Sequence, residues 1–220
     1  MNILVIAPHR DDEVIGVGGT IAKHSALGNS VYVCVLTHGK EPICDVDLDR
    51  MIRNECVEAD KLLGVRETIF LDYPAAMLET VSRHELNATL IKVVQEIKPE
   101  VVYIPHRGDM QLDHKLTVDS AMVALRPKYQ HVVKKIYAYE TLSETGWDVP
   151  NTTNEFIPVC YNDISEFLEK KLEAMNIFTT QIAEYPNPRS TEAIRALAMF
   201  RGSTVNLRAA EAFALIREIS

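Results

Sequence analysis

The sequence lacks several features that would restrict its function at once. Its 220 residues include four cysteines and one tryptophan, and no two cysteines form a C-x-x-C pair. A thiolate zinc site is therefore not expected, and a chain of this length can bury a core that needs no disulfide bonds. No hydrophobic run approaches the roughly 20 residues that span a bilayer. Because nothing indicates secretion, we expect a reducing, cytoplasmic setting.

The chain also has fewer basic than acidic residues. Lys and Arg number 23 against 31 Asp and Glu, which gives a formal net charge of −8. Nucleic-acid binders usually carry a basic surface, so this balance argues against a nucleic-acid partner and allows a small neutral substrate. Hydrophobic residues make up 47% of the chain, which suits one α/β domain over residues 1–220.

Segments typical of strands and helices alternate along the first two thirds of the chain. This alternation implies right-handed βαβ crossovers, a mostly parallel sheet and a Rossmann-like three-layer α/β/α fold. The last third predicts a C-terminal helical extension. The predicted strands are 2–7, 30–37, 67–71, 101–105, 135–140 and 156–161. The predicted helices are 15–27, 47–63, 82–97, 113–125, 163–183, 190–199 and 209–219.

Imidazole and carboxylate side chains follow these predicted strands. His9, Asp11 and Asp12 come after the first strand, His38 after the second, and a further cluster at 106–114 after the fourth. Ligands of open parallel sheets bind outside the carboxyl ends of the strands, so we expect these groups to meet at one rim. The further cluster contains His106, Asp109, Gln111, Asp113 and His114.

The spacing of these residues predicts a metal site. His9 and Asp12 are three residues apart on a tight turn, and His114 from a distant loop would complete a His-Asp-His set. Three such ligands leave a position for water, as in catalytic zinc sites. Asp11 could then act as general base, with Glu13 orienting a ligand. Acidic turns before helices also occur for structural reasons, because the helix dipole favours carboxylates at the N-terminus. The second cluster, expected at the same rim, favours a functional interpretation of residues 9–13 over this structural one.

Both clusters resemble motifs of the PIG-L family, also called LmbE-like. The family motif A-H-P-D-D-E is similar to P-H-R-D-D-E at 8–13, and H-x-x-D-x-H-x-D-H is similar to H-R-G-D-M-Q-L-D-H at 106–114. The stretches R-S-T-E at 189–192, R-G at 201–202 and A-E-A-F at 210–213 also resemble the family. The resemblance therefore extends over nearly the whole chain.

The resemblance implies a Rossmann-like, zinc-dependent hydrolase that removes the N-acetyl group from an amino sugar or sugar conjugate and releases acetate. Zinc would be held by His9, Asp12 and His114, with Asp11 as the base that activates water. Similar proteins often form multimers, so a homo-oligomer is a further expectation. The expected substrate contacts are Arg53, by resemblance, together with His38, His106 and Asp109.

Two residues depart from the family motifs. Arg10 replaces the usual proline, and Gln111 stands where many members have a histidine that assists the tetrahedral intermediate. A glutamine amide can donate a hydrogen bond to an oxyanion, but it cannot act as an acid. Either Asp11 returns its proton to the leaving amine or His106 assists, and the sequence leaves both routes open.

Two other functions are compatible with this sequence. One is a zinc amidase that acts on a different acyl group, in a glycopeptide or thiol-sugar conjugate. The other is a non-catalytic sugar- or nucleotide-binding module, suggested by the glycine-rich stretch 16–19. That stretch does not match G-x-G-x-x-G and begins well after the strand, so we expect it to pack a helix against the sheet.

Overall fold

A seven-stranded sheet forms the centre of the computed structural model, which describes residues 1–128 and 131–220. The strands are β1 (Asn2–Ala7), β2 (Ser30–His38), β3 (Glu67–Pro74), β4 (Val101–Pro105), β5 (Lys135–Tyr139), β6 (Cys160–Asp163) and β7 (Ala210–Glu218). The helices are α1 (Asp12–Ala26), α2 (Val46–Leu63), α3 (Arg83–Ile97), α4 (Leu112–Ala124), α5 (Leu168–Ile177) and α6 (Thr191–Ser203), with a 3-10 turn at Leu78–Thr80.

The strand order β3-β2-β1-β4-β5-β7-β6 confirms the Rossmann-like α/β fold. Strands β1 to β5 are parallel, and β7 runs antiparallel to both β5 and β6. The order reverses between β1 and β4, which makes the gap beyond their carboxyl ends the topological switch point. Both predicted clusters of polar residues follow these two strands.

Each face of the sheet has its own hydrophobic core. One core contains Val5 and Val33 from the sheet and Phe178 after α5, and the other contains Leu4 from the sheet and Leu90 from α3. Strand β1 contributes to both cores because it is buried on both faces, which explains its nearly continuous apolar sequence. No helix within the described ranges is long and apolar enough to cross a membrane.

The glycines of α1 allow close packing, as the sequence predicted. A Cβ on Gly16 would lie 2.3 Å from Cδ2 of Tyr139, and one on Gly19 would lie 2.8 Å from Ile164. Tyr139 is fully buried and donates a hydrogen bond from its hydroxyl to the carbonyl oxygen of Ile6 at 3.0 Å. The glycine-rich stretch therefore brings the helix against the sheet, and nucleotide binding is not needed to explain it.

The predicted helix at 209–219 is wrong, because this segment forms strand β7. Pairing with β5 and β6 outweighs the helical preference of its Ala- and Glu-containing sequence. Residues 210–213 are all buried, so the alternation that identifies a half-exposed strand is missing. The C-terminal extension thus consists of helices, the interior strand β7 and the edge strand β6.

The long helix predicted at 163–183 is also wrong in its extent. Helix α5 covers only Leu168–Ile177. Strand β6 occupies the chain as far as Asp163, and the Thr179 and Thr180 hydroxyls after the helix donate hydrogen bonds to the Glu55 carboxylate. The residues after α5 are consequently free to turn toward the carboxyl rim of the sheet.

Candidate active site

The two polar clusters lie at the N-termini of α1 and α4, on either side of the switch point. Helix α1 begins at Asp12, three residues earlier than predicted, with Asp11 at its N-cap. Helix α4 begins at Leu112, with Gln111 at its N-cap and His114 in its first turn. Because both helices begin at this rim, their first turns project carboxylates and an imidazole into the same space.

Side chains of His9, Asp12 and His114 form a compact set of candidate metal ligands. Asp12 Oδ2 lies 3.2 Å from His9 Nδ1 and 3.3 Å from His114 Nε2, and the potential ligand atoms all lie within 4.8 Å of one another. His114 Nε2 is buried without a hydrogen-bond partner. Buried polar atoms normally have a partner, and a metal ion could fill this role for the nitrogen. Two imidazoles with one carboxylate are a donor set that zinc accepts.

Two further carboxylates orient the histidines. His9 Nε2 lies 3.1 Å from Asp113 Oδ2, and His114 Nδ1 lies 2.8 Å from Asp109 Oδ2. Asp109 is fully buried, and its second oxygen accepts a hydrogen bond from the Thr145 hydroxyl at 2.6 Å. When the ring N–H groups at His9 Nε2 and His114 Nδ1 donate to these carboxylates, the lone pairs of His9 Nδ1 and His114 Nε2 face the site, as in metal-ligating histidines generally.

The electrostatics of this cluster favour a cation. Burial by itself would lower the pKa of His9, but hydrogen bonds to Asp113 and Asp12 outweigh it and raise the pKa to about 9. Burial likewise opposes a charged His114, but Asp12 and Asp109 raise its pKa to about 10. Burial alone would raise the pKa of Asp12, and the two imidazoles hold it well below its usual range. A metal ion would replace the protons on this pair of histidines.

A second group of potential ligands, Glu13, Cys56 and Asp60, has different electrostatics. Burial raises the pKa of Asp60 to about 7, and burial together with Asp60 raises that of Glu13 well above its usual value. Burial also raises the pKa of the Cys56 thiol. These three side chains also bond to other protein groups, since Glu13 accepts from the Asp11 N–H and the Cys56 thiol, and Asp60 accepts from the Thr68 hydroxyl. The set of His9, Asp12 and His114 is the better candidate.

Asp109 gives a direct test of the histidine-orienting shell. The Asp109→Ala variant removes the acceptor for His114 Nδ1, so we expect zinc affinity to fall about 10- to 100-fold, as is typical of such partners. Competition with a chromophoric chelator measures this change. Asp119→Ala is the matched control, because Asp119 lies on α4, the helix that carries His114, and pairs with Arg107 at 2.9 Å. Equal zinc affinities in the two variants would contradict this role of Asp109.

Asp11 has an unusual backbone and an unsatisfied side chain. Its φ of 151° is rare for a residue other than glycine, and its backbone N–H donates to Glu13 Oε2 at 3.1 Å. Asp11 Oδ2 is buried without a hydrogen bond and lies 3.4 Å from the Arg189 guanidinium. Burial raises the pKa of Asp11 to about 6, although Arg189 opposes the shift. Backbone strain and a raised pKa together are typical of a functional carboxylate.

A cavity of about 300 Å³ opens beside these residues. Among the residues expected to act in the site, His9, Asp11, Gln111 and His38 line it. Gln111 Oε1 is buried without a hydrogen-bond partner in the described structure. The structure therefore brings the candidate base, one candidate ligand and Gln111 together around a single space.

Of the four predicted substrate contacts, His38 lines this cavity, whereas Arg53, His106 and Asp109 do not. Arg53 does not line the cavity; it pairs with Asp72 at 2.7 Å and stacks over the Phe70 ring at 4.0 Å. His106 is also absent from the cavity lining, and its Nε2 lies 3.1 Å from the carbonyl oxygen of Asn154. Both side chains already have protein partners.

Two residues in the site were not assigned from the sequence. Asp113 supports His9, and its position next to His114 in the second motif is the signal that could have identified it. Arg189 pairs with Asp11 from a loop that lies 178 residues further along the chain. No local pattern predicts such an ion pair, although residues 189–192 resemble the family.

Fold and site together define a Rossmann-like protein with a His-Asp-His cluster and a buried carboxylate at its switch point. The sequence profile of the PIG-L family, described as GlcNAc-PI de-N-acetylase, matches residues 4–125. This segment covers more than half of the chain and includes both motifs. The chain belongs to the PIG-L family.

Several known proteins are similar over most of the chain. A probable N-acetyl-alpha-D-glucosaminyl L-malate deacetylase 2 of Bacillus anthracis is 26% identical over 193 residues, which cover 83% of this chain and 82% of that protein. The structure of N,N'-diacetylchitobiose deacetylase from Pyrococcus horikoshii matches with a TM-score of 0.80 and 26% identity, over 98% of this chain and 83% of that one. Both relatives carry the name of an amino-sugar deacetylase.

One structural neighbour has a different activity in its name. GalB, the 4-carboxy-2-hydroxymuconate hydratase from Pseudomonas putida KT2440, matches with a TM-score of 0.80 and 21% identity, over 100% of this chain and 97% of that one. At this identity the likeness concerns the fold alone. The reaction must therefore be argued from the residues of the site.

Proposed function

We propose that this protein is a zinc-dependent deacetylase that hydrolyses the N-acetyl group of an amino sugar or sugar conjugate and releases acetate. The observation that carries the proposal is the set of His9, Asp12 and His114, of which Asp12 and His114 are fully buried, beside Asp11 with its strained backbone. Membership of the PIG-L family and the names of the deacetylase relatives support this choice of reaction.

His9, Asp12 and His114 would hold the zinc ion. When bound, zinc supplies a Lewis acid that polarises an amide carbonyl and lowers the pKa of water. Asp109 acts on this site by positioning His114, since its carboxylate is buried and engaged by two protein groups. This role replaces the substrate contact expected for Asp109 from the sequence.

Asp11 is the residue that moves the proton. Its Oδ2 has no hydrogen-bond donor from the protein, so it is free to accept a proton from the attacking water. His106 is bonded to Asn154, and Gln111 cannot supply a proton. We therefore assign the return of the proton to the leaving amine to Asp11 as well, a double task that suits a pKa of about 6.

Gln111 and His38 complete the polar lining. The Gln111 amide can donate a hydrogen bond to the negatively charged oxygen that forms on the carbonyl carbon. His38 lies at the end of β2 and lines the same cavity, where it can bind a sugar hydroxyl. Arg53 lies outside this lining, so we do not include it among the substrate contacts.

The ion pair between Arg189 and Asp11 predicts a specific pH dependence. A base must be deprotonated, so activity falls as the pH drops through the pKa of Asp11, at or below about 6 since bound zinc adds positive charge. Arg189 lowers this pKa, and Arg189→Met should therefore move the acidic limb of kcat/KM to higher pH. Arg195→Met, which removes an exposed partner of Glu169, is the matched control. An acidic limb at the same pH in both variants would refute this link.

Acetate release by the zinc-loaded protein from a panel of N-acetylated amino sugars and their conjugates tests the proposal. We expect release from at least one compound, and lower rates when the acetyl group is replaced by butyryl or hexanoyl. A preference for longer acyl chains would favour a zinc amidase of different acyl specificity. No hydrolysis of any compound, together with no zinc binding, would favour a non-catalytic binding module.

A further inference from the structure

One part of the active-site cavity is apolar. Ile43, Leu48 and Ile52, which we call the apolar wall, line the same cavity as Asp11 and Gln111. Leu48 and Ile52 are four residues apart on α2, so they share one face of the helix. The wall is thus built by the segment that follows β2, next to the groups proposed to carry out the reaction.

The apolar wall is accessible. Ile43 is 61% exposed, and Leu48 and Ile52 are both partly exposed. Single exposed hydrophobic side chains are common on protein surfaces and need no explanation. Three that converge on one cavity beside convergent polar groups have the composition of a ligand pocket.

The charges around the cavity do not favour an acidic ligand. Arg10 is buried and donates to Asp49 Oδ1 at 2.6 Å, and Arg189 pairs with Asp11. In the lining that the structure describes, each arginine therefore already has a carboxylate partner. The Arg53 guanidinium, which could have bound an anion, is outside the cavity. Nε and Nη2 of Arg10 lack hydrogen-bond partners but are buried, so a carboxylate or phosphate on the substrate would reach no exposed, unpaired arginine in this lining.

We propose that the substrate carries an apolar group, an alkyl or aryl aglycone, that binds against Ile43, Leu48 and Ile52. This inference rests on the proposed deacetylase function: because the acyl group released is only an acetyl, the apolar group belongs to the amine part of the substrate. The apolar wall then selects among N-acetylated sugars by what is attached to the sugar.

The test compares kcat/KM for methyl, butyl, phenyl and carboxymethyl glycosides of N-acetylglucosamine with the zinc-loaded protein. We expect the butyl and phenyl glycosides to exceed the methyl and carboxymethyl glycosides by about tenfold or more, the range that a hydrophobic pocket achieves. In the Leu48→Gln/Ile52→Gln double variant this ratio should fall toward one. Met51→Gln is the matched control, because Met51 is exposed on the same helix and does not line the cavity.

Each of three results would overturn the inference, and each leads to a different conclusion about the substrate or the reaction. Equal rates for all glycosides, or faster turnover of the carboxymethyl glycoside, would refute an apolar aglycone while leaving the deacetylase function intact. A rate that rises with the acyl chain of N-butyryl and N-hexanoyl analogues would assign the apolar wall to the acyl group. Hydrolysis of none of the compounds would refute the deacetylase function, and the inference with it.

Discussion

His114→Ala is expected to lose both bound zinc and acetate release, with kcat/KM lower by about 10³-fold or more. The imidazole is fully buried, and its Nε2 faces Asp12 without any other hydrogen-bond partner. Removing it takes away one of three ligands, and metal stabilisation of transition-state charge is worth several kcal/mol, at about 1.4 kcal/mol per tenfold. Zinc analysis and acetate release on the same sample measure both effects.

Because a buried substitution can impair folding, this result needs controls. His84→Ala replaces an exposed histidine of α3 and should keep zinc and activity. Asp12→Asn changes another ligand with little change in volume and should lose zinc while keeping its circular dichroism spectrum. Stoichiometric zinc in folded His114→Ala would show that His114 is not a ligand.

Asp11→Asn is expected to separate metal binding from catalysis. The variant should keep zinc, because Asp11 lies outside the ligand set, and should lose about 10²- to 10⁴-fold in kcat, the contribution of a positioned acid or base. We expect the upper part of this range, since Asp11 is the only carboxyl side chain in the cavity lining that the structure describes. The amide keeps the side-chain volume but cannot accept a proton from water.

The comparison of zinc content with turnover decides this prediction. Near-normal turnover in Asp11→Asn would show that another group acts as base. Loss of zinc along with turnover would show that Asp11 helps to hold the metal. Asp163→Asn, which changes a carboxylate that accepts hydrogen bonds from Ser165, controls for the general effect of removing a negative charge.

The ligand set could be predicted from the sequence because its members follow strands β1 and β4. In a parallel sheet the carboxyl ends of strands share one edge, so the sequence alone predicts that His9, Asp12 and His114 lie at one rim. The same principle placed Gln111 and His38 there. Spacing and topology were sufficient because each residue lies directly after a strand or in the first turn of a helix.

The residues that the sequence did not reveal are held by long-range contacts. Arg189 reaches Asp11 from the loop that follows the shortened α5, and that loop exists because β6 and the contacts to Glu55 limit the helix. His106 lies directly after β4 at the rim, but its ring packs edge-on against Phe156 and does not line the cavity. Side-chain partners of this kind are decided by tertiary packing, which local sequence patterns do not encode.

The C-terminal strand shows the same limit for backbone structure. Its buried first half, residues 210–213, has no alternation, so the sequence fits a buried helix and a buried strand equally well. Pairing with β5 and β6 stabilises the strand, and Glu211 adds long-range contacts by accepting hydrogen bonds from the backbone N–H groups of Gly19 and Thr20 and by pairing with Lys171 at 2.6 Å. Those partners come from α1 and α5, far away in the sequence.

We expect hydrolysis to depend on a metal held by His9, Asp12 and His114. The decisive experiment removes metal with a chelator and then titrates zinc back, with acetate release and bound zinc measured on each sample. The metal-free protein should release no acetate, and activity should return in step with zinc, reaching full rate at one ion per chain. Full acetate release by the metal-free protein would refute this dependence.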